Sequence, residues 1–131
     1  KTLIFAYRPV QSFNKYDRVM DRTAQFQALI MNVMNTYVQD HVGQEPTVSY
    51  KIIADDARKQ YQVVLMGWHQ RKRVYHIMFH LEIIENKIWI QEDNTEDSVA
   101  EMLVEQGASK QDIVLAYFSE FHRRNTEYAV S

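Results

Sequence analysis

Between Thr47 and Gln91 the chain passes through four stretches of strand-like alternation joined by very short loops, and this restricts the fold more than any other feature. In Thr47 to Ala54, Val48, Tyr50 and Ile52 alternate with Ser49 and Lys51, as in a half-buried strand. Asp55 to Lys59 reads as a turn, and further strands are predicted over Gln60 to Trp68, Arg73 to Ile84 and Lys87 to Gln91. A parallel connection needs roughly a dozen residues or more, so these four strands must form an antiparallel meander. Loop lengths then set the register. With Glu85-Asn86 as the loop, Ile83 pairs with Ile88 and Leu81 with Ile90. Pairing Trp68 with Arg73 sets Met66 opposite Tyr75 and Val64 opposite Ile77.

Because side chains alternate with period two, register assigns faces. The expected core face carries Val64, Met66, Tyr75, Ile77, Phe79, Leu81, Ile83, Ile88 and Ile90. The other carries Val48, Tyr50, Ile52, Tyr61, Val63, Leu65, Val74, Met78 and Trp89, together with His76, His80 and Glu82. That second face is too apolar to remain wet, so a helix, an N-terminal arm or a partner chain must cover it. Around His76, Met78, His80 and Trp89 it is the candidate surface for another protein, since aromatic, Met and His side chains suit such contacts.

Helical periodicity flanks the meander. Phe26, Leu29, Ile30, Val33, Met34 and Tyr37 recur at intervals of three and four, predicting a helix from Asp21, capped by Asp21 or Thr23 and closed by Gly43 and Pro46. Thr2 to Tyr7 reads as a short strand or extended arm ended by Pro9. After the last strand, Thr95 is placed to cap a helix opened by Glu96 and Asp97 and ended by Gly107 at C′. Ser109-Lys110-Gln111-Asp112 then predicts a second short helix over the apolar run Ile113 to Phe118, and the apolar Tyr128-Ala129-Val130 is expected to dock. The expected architecture is α+β, with a helix, a four-stranded antiparallel sheet and two C-terminal helices. Residues 21–131 form one domain and residues 1–20 an extension.

At 131 residues, 46% of them hydrophobic and 24% charged, the chain suits a single core. A net charge of −2 gives no global attraction to phosphate, so nucleic-acid contact would need a local basic patch and is not favoured. The absence of cysteine removes thiolate chemistry and disulfides, and no apolar run is long enough for a membrane span. A soluble cytoplasmic protein is expected.

The candidate chemistry is sparse. His76 and His80 lie four residues apart on a strand, about 13 Å at the usual rise, too far for one ion to bind both. Glu92, Asp93, Glu96 and Asp97 cluster beside a helix start, where capping and dipole compensation account for them. Gly43, Gly67 and Gly107 form no phosphate loop, and no serine sits in a nucleophile elbow. The expectation is therefore no catalytic residues, no metal, no cofactor and no enzyme activity. Arg71, Lys72 and Arg73 at a hairpin tip, with Arg123 and Arg124 in the tail, are the candidate phosphate contacts, with solvated turn charges as the plainer alternative.

Gly67-Trp68, Arg73-Val74-Tyr75, His80-Leu81, Lys87 to Gln91, Asp93, Thr95-Glu96, Ala100, Leu103-Val104, Gly107, Lys110 and Asp112 to Leu115 resemble, in order and spacing, the XisI-like family, the fdxN-element excision controlling factors found mostly in cyanobacteria. The resemblance extends through Thr126 to Val130 and back over the helix from Asp21. His76-Ile77 stands where the family commonly has Gly-Cys, Ser109 where it has proline, and Glu120-Phe121 near a proline pair. The resemblance implies an accessory role in programmed DNA excision, beside an XisH-like companion and a recombinase; the lack of a catalytic constellation makes that role non-enzymatic, and the apolar second face leaves self-association open. It brings no catalytic residues.

Overall fold

The computed structural model describes residues 15–43 and 45–131, with side chains from 22 onward. Helix α1 runs from Lys15 to His41, starting upstream of the expected Asp21. Its apolar stripe, Phe26, Leu29, Ile30, Val33, Met34 and Tyr37, is buried as the spacing requires. The chain then turns at Gly43, whose φ of 84° lies in the left-handed region that glycine reaches without strain. The expected strand or arm over Thr2 to Tyr7 lies outside the described residues.

Strands β1 (Val48–Asp55), β2 (Gln60–His69), β3 (Lys72–Ile84) and β4 (Lys87–Asp93) form the expected antiparallel meander. Glu85 and Asn86 both take positive φ, the conformation a two-residue hairpin loop demands. The predicted pairs Ile83 with Ile88, Leu81 with Ile90, Trp68 with Arg73, Met66 with Tyr75 and Val64 with Ile77 all occur. Gly67, at φ 150°, lets the β1 backbone pass close by, because an added Cβ would stand 2.3 Å from the Thr47 carbonyl oxygen.

The expected faces must nevertheless be corrected. Val63 pairs with Phe79 while Val64 pairs with Ile77, leaving Met78 as an extra residue in β3. This β-bulge inverts the alternation at that point. The helix-covered face therefore joins Tyr61 and Val63, assigned above to the other side, to Phe79, Leu81, Ile83, Ile88 and Ile90. Val64, Met66, Tyr75 and Ile77 belong instead to the opposite face, where Tyr75 is 57% exposed. The covering element is α1, whose apolar stripe packs into the same cluster.

A second correction concerns the C-terminal third. Helix α2 (Val99–Glu105) is present, but its cap is Ser98, whose side chain accepts the Glu101 N–H, rather than Thr95. Gly107 follows it with φ 120° and the Ala108 N–H bonds the Leu103 carbonyl, as a C′ glycine allows. Ser109 does accept the Gln111 N–H, but the helix it starts is only the 3-10 turn Lys110–Asp112. The expected second helix is instead strand β5 (Ile113–Leu115), parallel to β4, so the sheet is five-stranded and mixed. All three β5 residues are buried: Ile113 and Leu115 join the main core, while Val114, on the other side, pairs with Ala129 of the tail. Burial on both faces hides a strand's period. Helix α3 (Glu120–Arg123) completes the element order.

Candidate interaction surface

Beyond the bulge, β1, β2 and β3 continue past the end of α1, while β4 reaches only as far as Phe79. On the helix side this leaves a cavity of about 350 Å³ between the last turn of α1 and the sheet, lined by Val38, His41, Val42, Tyr50, Leu65 and Val74. Val42 at its rim is 67% exposed. The cavity wall is stiffened by aromatic contacts. Tyr37 stacks on His41 at 4.1 Å and meets Tyr50 and Phe79 edge-on at 5.7 and 5.4 Å. Burial, then the nearby Tyr50 and Asp93, pushes the Tyr37 phenol up to about 12.

On the opposite face, Trp68 and Tyr75 stand 52% and 57% exposed, with the Arg73 guanidinium 5.8 and 5.9 Å from their rings. Arg73 also donates to the Gly67 carbonyl at 3.3 Å. Arg71 and Lys72 are exposed at the same tip and join no ion pair among the described residues. His69 beside them contacts Glu45 at 3.3 Å.

The bulge separates the four residues expected on one partner face. His76 pairs with Leu65 and Met78 packs on the core, both on the side of α1. His80 lies on the other side, its Nε2 2.8 Å from Gln60 Oε1 and its Nδ1 3.4 Å from Gln62 Nε2. Trp89 shares that side, between Glu82 and Val114 in register, with the Arg123 guanidinium 5.7 Å over its ring. His76 and His80 thus face opposite ways, a stronger reason than distance against a shared ion.

The two basic knots also part company. Arg123 donates from Nε to the Val130 carbonyl and from Nη1 to the Phe118 carbonyl, at 2.8 and 2.6 Å, tying the tail together. Arg124 pairs with Glu120 at 3.3 Å on the surface of α3. Of the two, only the hairpin tip presents a group of cations without carboxylate partners among the described residues. Among the acidic residues, Asp93 is structural. Its Oδ1 accepts the Thr95 N–H and hydroxyl, and its Oδ2 accepts the Val99 N–H at 2.9 Å. Glu92, Glu96 and Asp97 remain exposed at the mouth of a polar recess beside Met78 and Asn94 or next to it. Sequence reasoning missed the Trp68–Arg73–Tyr75 stack, whose only signal is two aromatics flanking a hairpin-tip cation.

A long helix across a five-stranded mixed sheet, closed by a parallel β5 and a docked tail, defines a small α+β domain. The model of the XisI protein family matches residues 20–130, and the chain belongs to that family. Among solved structures, an XisI-like protein from Anabaena variabilis is 32% identical, covers 83% of this chain and 99% of its own, and superposes with a TM-score of 0.77. The fdxN element excision controlling factor XisI from Anabaena variabilis is 30% identical, with 84% and 99% coverage and a TM-score of 0.71. No curated protein matches the chain. Among the described residues no helix is long and apolar enough to cross a membrane.

Proposed function

We infer that this chain is a non-enzymatic accessory factor in the excision of a DNA element, working in the cytoplasm by binding another protein of the excision apparatus. The observation that carries this reading is the 30% identity to an excision controlling factor over 84% of the chain. What supports a contact at the end of α1 is the apolar cavity there, with Val42 on its rim and His76 on the neighbouring strand face. An XisH-like companion is the first partner to test and the recombinase the second.

Co-expression with the companion should yield a complex that Val42→Asp disrupts on the order of tenfold or more, while the variant alone keeps the wild-type melting profile. A wild type that co-purifies with neither companion nor recombinase would overturn the reading. So would nuclease activity that survives purification and disappears in Asp93→Asn or Glu96→Gln. The tip cations Arg71 and Lys72, which join no ion pair among the described residues, favour with Arg73 a second reading, direct DNA contact. Under it, retention on DNA should fall steeply with salt, and neutralising the tip should flatten that slope.

A further inference from the structure

Among the described residues the outer edge of β3 is open from Lys72 to His76, because β4 begins to pair only at Phe79 and Asn94 then caps the edge by bonding the Ile77 and Met78 carbonyls, each at 2.8 Å. His69 pairs with Lys72 across the β2–β3 turn, and in such a hairpin the flanking pair bonds to itself. Lys72, Val74 and His76 are therefore committed to β2, while Arg73 and Tyr75 turn their backbone N–H and C=O groups outward. An exposed edge of this kind is a template for another strand.

Charge is distributed unevenly along the edge. Arg71, Lys72 and Arg73 mark one end, whereas Glu92, Glu96 and Asp97 mark the other, around Asn94. A strand whose own charges run the same way fits antiparallel, and this chain carries such a strand. We propose that two copies of this protein pair through their β3 edges about a two-fold axis near Val74, the basic tip of each lying against the acidic β4–α2 joint of the other. The arrangement is isologous and closes on itself. Arg73 of one copy falls opposite Tyr75 of the other, so each outward N–H meets a carbonyl. On the same sheet face the Arg73 guanidinium, already between Trp68 and Tyr75 of its own chain, gains a second tyrosine ring.

β1 also offers an edge that is open among the described residues, and charge argues against it. Glu45 precedes the strand and Asp55 and Asp56 close it, so an antiparallel copy would bring carboxylates together. This inference is independent of the companion protein and is tested on the full chain alone. Sedimentation at low salt should give twice the monomer mass, with dissociation promoted by added salt. Arg71→Glu with Lys72→Glu should weaken the dimer on the order of tenfold or more, as should Glu96→Lys with Asp97→Lys. Combining all four reversals should restore it. Tyr75→Pro, which removes an outward N–H but no bond to β2, should give a folded monomer. A monomeric wild type, a dimer indifferent to Tyr75→Pro, reversals that fail to rescue one another, or a dimer broken only by proline in β1 would each overturn the proposal.

Discussion

Asp93 shows how one side chain can settle a local fold. Its two carboxylate oxygens hold the Thr95 hydroxyl and N–H and the first N–H of α2, so the chain leaves β4 and enters the helix with the first of its orphan donors satisfied. Asp93→Ala should cost about 1–3 kcal/mol, read as a lower denaturant midpoint with an unchanged slope. The neighbouring Glu96→Gln, on an exposed side chain, should stay within about 0.5 kcal/mol. A cost for Glu96→Gln equal to that of Asp93→Ala would show that bulk charge near the helix start, rather than these bonds, holds the joint. That one of the clustered carboxylates caps the helix start was legible in the sequence, and Asp93 does so. The distribution of these roles was not, because Thr95, Asp93 and Ser98 are all competent caps, and a second bulge, at Gln91 between the pairs Leu81–Ile90 and His80–Glu92, precedes Asp93 in β4 without a glycine or proline to mark it.

At the scale of elements, the strands could be read from alternation and loop length, and their registers followed. What could not be read was Met78 as a bulge, since neither glycine nor proline marks it and an extra methionine looks like any other strand residue. That single unpaired residue moved Tyr61 and Val63 into the core and Tyr75 out of it. Phe79→Ala should therefore cost about 3–5 kcal/mol, the penalty for emptying a buried aromatic site, whereas Tyr75→Ala should cost well under about 1 kcal/mol in the monomer. Equal penalties in thermal unfolding would restore the uninterrupted alternation. β5 escaped for a related reason. Ile113 to Leu115 is covered on both sides, and a run of apolar residues without a period does not distinguish strand from helix. At the candidate surface the cations of the tip were legible, but Trp68 and Tyr75 were not, because an aromatic in an alternating strand reads as core.

Across the whole molecule, the core between α1 and the sheet buries two phenols, Tyr37 of α1 and Tyr61 of β2. Burial, followed by the hydroxyl's bond to Asp56 at 2.8 Å, holds the Tyr61 phenol far above its usual range, and Tyr37 is raised to about 12. A phenol raised in the fold keeps its full stabilisation below its unfolded value, near 10, and loses it as pH climbs towards the folded value. Denaturant midpoints should thus fall from about pH 10 towards pH 12, and Tyr61→Phe should soften the fall; a midpoint flat across that window would remove these tyrosines as the cause. The same map has an optical consequence. The chain has two tryptophans, one half in water at the hairpin tip and the other shielded beneath Arg123 where the tail docks. Their emission colours report on different events. A ligand arriving at the tip shifts the light of Trp68 alone, while release of the tail reddens Trp89, so a pair of single-indole variants, Trp68→Phe and Trp89→Phe, would let assembly and unravelling be watched separately in the same solution.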